Sequence, residues 1–139
     1  MKVKEAMHSG VTWVSPGTTL PKIAKKMRDE DVGAIPVGEN DRLVGMVTDR
    51  DIVCRGFVDS KDTKSLTAAD VMTKGIVYCR IDDDVDDAIE TMKKNKIRRL
   101  TVLDNSKRMV GMLTLGDVAC GASKGQCAEM LQAVTAHHA

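Results

Sequence analysis

The chain has 139 residues and a formal charge of +1, from 21 Lys and Arg against 20 Asp and Glu. That length supports one compact domain or two small repeats sharing a core. The charge balance gives no electrostatic reason to expect nucleic acid or an anionic membrane as the main partner. Aromatic content is only 2%, from Trp13, Phe57 and Tyr78. Base-stacking platforms for single strands are therefore nearly absent, and the core must come from Val, Ile, Leu, Ala and nine methionines.

No apolar run approaches the roughly 18 residues of a membrane span, and Met1-Lys2-Val3-Lys4-Glu5 leads into no signal-like segment. A cytoplasmic protein is expected. Cys54, Cys79, Cys120 and Cys127 are scattered without a Cys-x-x-Cys pair, so free thiols are expected rather than a zinc site or a disulfide framework.

In chain order, Val3 to Gly10 predicts a short helical turn, Val11-Thr12-Trp13-Val14 a strand, and Ser15-Pro16-Gly17 its stop. Thr18 or Thr19 can cap the next helix, in which Leu20, Ile23, Ala24 and Met27 form one apolar stripe. Val32 to Val37 predicts a strand, Glu39 to Arg42 a turn, and Leu43 to Val47 the returning strand. A helix from about Asp49 to Arg55 closes the unit at Gly56. Residues 59–66 are polar and aperiodic and read as a linker.

The plan then repeats. Ala69 to Met72 matches the segment around Met7, Gly75 matches Gly10, and Ile76-Val77-Tyr78-Cys79 matches Val11 to Val14. The apolar stripe returns as Val85, Ala88, Ile89 and Met92. Ile97 to Val102 matches Val32 to Val37, and Val110-Gly111-Met112 matches Val44-Gly45-Met46, with one residue added in the turn Asp104 to Arg108. The predicted organisation is repeat 1 over 1–58, linker 59–66, repeat 2 over 67–121 and a helical tail over 122–139. Neither repeat has enough apolar surface to stand comfortably alone. Two packed repeats would leave two related clefts. In the tail, Cys127, Met130, Leu131 and Val134 form a helical stripe that could cover its own repeat or serve a subunit contact.

The chemistry sits at the end of each unit. Gly45-Met46-Val47-Thr48-Asp49-Arg50-Asp51 recurs as Gly111-Met112-Leu113-Thr114-Leu115-Gly116-Asp117. Thr48 and Thr114 stand where helix caps stand, with open N–H groups behind them that attract anions. Asp51 and Asp117, one turn on, can accept hydrogen bonds from vicinal hydroxyls. Phosphate and ribose together suggest a nucleotide. A capped helix with an acidic first turn also accounts for either copy taken alone.

With both copies of this Gly-h-h-Thr-x-x-Asp-h pattern (h apolar) in place, the chain resembles the CBS-domain family over about Val3 to Cys120. The resemblance implies an α/β (α+β) fold of two βαββα repeats with pseudo-two-fold symmetry, a single Bateman module, dimerised through helical faces. It further implies a regulatory ligand, an adenosine nucleotide (AMP, ADP or ATP), with S-adenosylmethionine or NAD as further candidates. By the same resemblance the first cleft would use Ala34, Met46, Thr48 and Asp51 with Gly75, Ile76 and Val77 from the other repeat. The second would use Arg99, Met112, Thr114 and Asp117 with Gly10, Val11 and Thr12. Thr101 stands where the first repeat has Pro36, and Gly116 loosens the start of the second motif's helix; both bear on the shape of the second cleft.

Other features read more plainly. Arg98 and Arg99 project to opposite strand faces, so only one enters a cleft, as a phosphate ligand or as a surface arginine with a carboxylate partner. The first cleft lacks that charge unless Arg50 or Arg55 supplies it. Asp82 to Asp87 lacks the glycine and distal glutamate of a calcium loop and reads as a helix N-terminus favoured by the dipole. Trp13 and Tyr78 are expected in the core. The only histidines are His8 and the terminal His137 and His138, to which no role is given. No nucleophile–base pair is evident, so no enzyme is expected. Output is expected through an unidentified effector protein or the homodimer itself; a ligand-free scaffold with vestigial clefts is the alternative.

Overall fold

A computed structural model describes residues 1–59, 62–121 and 123–136. His137 and His138, and Ser60 and Lys61 of the linker, lie outside the described residues. The elements are α1 (Val3–Ala6), β1 (His8–Ser9), α2 (Leu20–Glu30), β2 (Ala34–Glu39), β3 (Arg42–Thr48), α3 (Asp49–Asp51), a π-helical stretch (Ile52–Phe57), α4 (Ala68–Val71), β4 (Tyr78–Arg80), α5 (Val85–Asn95), β5 (Arg99–Leu103), β6 (Met109–Thr114), α6 (Leu115–Gly121) and α7 (Lys124–Thr135).

The chain divides into two compact units, one of Thr12–Ile76 and one of Met1–Val11 with Val77–Ala139. The repeats are units of sequence; the compact units are offset from them by one leading segment each. In the unit of the second repeat, β1 pairs antiparallel with β6, His8 opposite Met112 and Ser9 opposite Gly111, so its sheet runs β1-β6-β5-β4. In the unit of the first repeat, Thr73 takes the place of His8 and bridges Met46 antiparallel. Its N–H bonds the Met46 carbonyl at 2.9 Å, and the Met46 N–H bonds the Thr73 carbonyl at 3.1 Å.

Both approaches depend on a missing side chain. A Cβ on Gly45 would lie 2.5 Å from Met72 Sδ, and one on Gly111 would lie 2.6 Å from the His8 carbonyl oxygen.

The predicted strand over Val11 to Val14 shrinks to one parallel bridge, Val14 to Val37. Pro36 has no N–H for the preceding rung, so pairing stops there. Thr101 at the matching place pairs with Tyr78, and β4 continues to Arg80 opposite Leu103. Inward-facing Val14 and Cys79 are each 4% exposed, and by strand alternation their neighbours face outward. Trp13 at 40% and Tyr78 at 42% exposure are thus not core residues.

Each unit has its own aliphatic core. In the first, Leu20, Ile23 and Met27 of α2 pack with Ile35, Val37 and Val47, while Ala24 of the predicted stripe is exposed. In the second, Val85, Ala88, Ile89 and Met92 all pack against Leu100, Val102 and Leu113. Met130 and Val134 of α7 join that core, and Gln126 Nε2 donates to Asp86 at 2.9 Å. The tail therefore covers its own repeat, leaving Leu131 51% exposed.

The first hairpin turns through Asn40 and Asp41, both at positive φ (54° and 62°), the type I′ geometry that suits strand twist. In the longer second turn, Asp104 Oδ1 accepts from the N–H groups of Ser106 and Arg108 at 2.8 and 2.9 Å.

Candidate functional site

Both Thr-x-x-Asp motifs close as reciprocal caps. Asp51 Oδ2 accepts from the Thr48 N–H at 2.9 Å while Thr48 Oγ1 accepts from the Asp51 N–H at 3.1 Å. In the second copy Asp117 Oδ2 accepts from Thr114 N–H and Thr114 Oγ1, each at 2.9 Å, and the Asp117 N–H returns to Thr114 Oγ1 at 3.2 Å. This box stops each strand at its threonine and starts the turn behind it.

The helices that follow are short. α3 gives way to the π-helical stretch after Asp51, where Gly56 is seated so that a Cβ would lie 2.9 Å from Leu20 Cδ1. α6 has seven residues and forms from Leu115 despite Gly116. A macrodipole needs aligned peptides, so the anion attraction expected from these helix starts is small. Cationic side chains are better placed for it.

The unit Thr12–Ile76 contains Ala34, Met46, Thr48, Asp51, Gly75 and Ile76, and the other unit contains Gly10, Val11, Arg99, Met112, Thr114 and Asp117. Val77 and Thr12 fall in the unit opposite to the one expected of them; the Thr12 hydroxyl donates to Glu30. Ala34 stands across from Thr48 and Arg99 across from Thr114, so strand register gives the two residues one and the same place. Arg99 is half-buried there and Arg98 exposed. Gly10 and Gly75 adopt φ of 76° and 75°, a left-handed conformation that costs a side-chain-bearing residue about 1–2 kcal/mol.

Each aspartate has a basic neighbour, of which Arg55 was named in the sequence as a possible charge for the first cleft and His8 was not. Arg55 Nε lies 3.9 Å from Asp51 Oδ1, and its Nη1 donates to the Val71 and Met72 carbonyls at 3.1 and 3.3 Å. His8 Nδ1 lies 2.9 Å from Asp117 Oδ2. The available signal was alignment: Met7-His8 matches Met72-Thr73, so one histidine stands at a motif-bearing position.

Thr101 is fully buried, and its Oγ1 has no hydrogen-bond partner among the described residues. An unsatisfied buried hydroxyl costs about 1–3 kcal/mol. Thr101→Val should therefore raise stability by about 1 kcal/mol, read as a higher urea midpoint at unchanged slope.

The profile of the CBS domain matches residues 3–55 and again 68–120. The chain belongs to the CBS-domain family. It carries a tandem CBS pair, a mixed α/β fold. Hypoxic response protein 1 of Mycobacterium tuberculosis is 36% identical over 117 residues, covering 84% of this chain and 81% of its own length. A crystal structure of Hypoxic Response Protein I with two coordinated zinc ions superposes with a TM-score of 0.80 at 34% identity, covering 88% of this chain and all of that one. A crystal structure of CBSX2 in complex with AMP gives a TM-score of 0.74 at 26% identity, covering 86% of this chain and 93% of that one.

The remaining polar clusters of the CBS pair are spent on structure. Asp84 takes Lys2 at 2.9 Å and Asp82 takes Lys4 at 3.3 Å; their mutual hydrogen bond holds the Asp84 carboxyl below and the Lys2 ammonium above its usual range. Asp83 Oδ2 accepts from the Arg80 N–H at 2.8 Å. Among the described residues no three His, Cys, Asp or Glu side chains form a metal-binding group. Burial, with Asp83 adding to it, pushes the Cys79 thiol up to about 12, the inert end of cysteine chemistry. No helix among the described residues is long and apolar enough to cross a membrane.

Proposed function

We propose that this CBS pair is a regulatory module that binds an adenosine nucleotide, AMP, ADP or ATP, at the Asp51 and Asp117 boxes. The observation that carries the reading is the recurrence of one constellation in both units: a Thr-x-x-Asp box, its cross-strand residue in the same register, and a glycine at positive φ. The carboxylates would accept the ribose hydroxyls. Arg99 would meet phosphate in the second site, where Ala34 brings no charge to the first. AMP in the CBSX2 structure supports this ligand class. S-adenosylmethionine and NAD share the ribose and enter the same screen. The zinc of the Hypoxic Response Protein I structure has no donor set among the described residues here, and the proposal takes no step through it.

Regulation follows from differential affinity. A nucleotide that binds one conformation better shifts the population toward it, and one with equal affinity for both shifts nothing. Output passes to an effector protein or a homodimer. Val53, Phe57 and Val58, 56%, 64% and 76% exposed, offer an apolar helical face for self-association.

The test is isothermal titration with AMP and ATP on the intact chain, Asp51→Asn and Asp117→Asn. Asparagine keeps a cap acceptor and removes the charge. Each substitution should weaken its own site about 10- to 100-fold, the value of a hydrogen bond to a charged group. Arg99→Ala should weaken ATP more than AMP. The rival reading, a ligand-free interaction scaffold, draws on the fact that both boxes already satisfy themselves; absence of binding by any nucleotide would establish it.

A further inference from the structure

We infer that His8 sets the Asp117 site apart from the Asp51 site by competing with the ligand's ribose hydroxyls for the Asp117 carboxylate. The inference rests on the nucleotide reading above and adds an unassigned residue that decides between the two sites.

The Asp117 side chain is only 10% exposed, and Oδ2 bears all of its hydrogen bonds among the described residues: Thr114 N–H, Thr114 Oγ1 and His8 Nδ1, each at 2.9 Å. A carboxylate oxygen has two lone pairs, so three donors already crowd Oδ2; the two from Thr114 belong to the cap, and His8 is the one that can leave without opening it. A pair of vicinal hydroxyls is held best when each hydroxyl takes its own oxygen of the carboxylate. Only Oδ1 is open to it. For the ligand to be held through both hydroxyls, the His8 contact must give way.

The other unit lacks this competitor. Thr73, opposite Met46, stands where His8 stands opposite Met112. Among the described residues Asp51 Oδ2 accepts only the Thr48 N–H, and the cation paired with it, Arg55 Nε, is at 3.9 Å from Oδ1, outside good hydrogen-bond range. Asp51 thus offers both oxygens. The imidazole is 70% exposed, which keeps the penalty modest and lets the ring swing into solvent when the ligand arrives. His8 accordingly makes the Asp117 site weaker for AMP than its carboxylate and Arg99 would otherwise make it.

The experiment reads one site at a time by titration calorimetry with AMP. His8→Thr is made on the Asp51→Asn background, where the Asp117 site alone is read, and Thr73→His on the Asp117→Asn background. Removing the exposed contact should tighten AMP about 3- to 10-fold, and installing the histidine opposite Asp51 should weaken it by a similar factor. 2′,3′-Dideoxy-AMP, which has no vicinal hydroxyls, should show neither change. Unchanged AMP affinities, or equal changes for AMP and the dideoxy compound, overturn the role of His8 while leaving the nucleotide reading intact. Failure of the unsubstituted protein to bind AMP or ATP overturns that reading and the inference together.

Discussion

Gly111→Ala should lower the unfolding free energy by about 3 kcal/mol, at the upper end of overpacking penalties. The new Cβ would sit 2.6 Å from the His8 carbonyl oxygen and 2.8 Å from Met7 Sδ. The sulfur can move, because methionine has rotamers to spare. The carbonyl cannot, since it belongs to the strand whose pairing places His8 opposite Met112. The clash therefore has to push β1 off β6, and the leading segment loosens with it. Gly45→Ala is the internal control. Its closest contact, at 2.5 Å, is the flexible Met72 sulfur, and the Thr73 carbonyl is at 3.2 Å, so the same substitution should cost less there. Urea denaturation of both variants measures the difference. A Gly111→Ala midpoint equal to that of the unsubstituted protein would mean that β1 contributes nothing to its unit.

Leu113→Ala should cost about 3 kcal/mol, within the 2–5 kcal/mol range for truncating a buried leucine. Leu113 is fully buried and stands across the ladder from Leu100, also fully buried. Both lie in the core closed by Met92 and Met130. Methionine can partly refill a void by changing rotamer, which keeps the cost below the top of the range. Leu131→Ala, on the 51% exposed face of α7, should stay within about 0.5 kcal/mol. Thermal unfolding of the two variants separates the closed face of the tail from its open one.

Much of the fold was legible because the signals were periodic and doubled. The stripe Val85, Ala88, Ile89 and Met92 is buried at every position, since an apolar face spaced at 3.6 residues has one way to be covered. Thr-x-x-Asp, present twice, announced a cap. What was hidden depended on pairing across distance. Val11 to Val14 has strand composition, yet its ladder ends at Val14 because Pro36, on another strand, has no N–H to offer. Trp13 and Tyr78 suggested core by residue type, whereas strand alternation turns them outward. Ala24 fitted the stripe of α2 and is exposed, an alanine being small enough for either environment. At the site, the box residues stood out because they recur; His8 did not, because its partner Asp117 lies 109 positions away.

The offset between repeats and units has a consequence for biosynthesis. A ribosome delivers Met1–Val11 before Thr12–Ile76, yet the strand partner of His8 is Met112, which emerges only after that whole unit. Met1–Val11 therefore waits for its sheet, while Thr12–Ile76 contains all of its own elements and can collapse as soon as it leaves the tunnel. Closing the second unit is the late, non-local step, and long loop closures are slow.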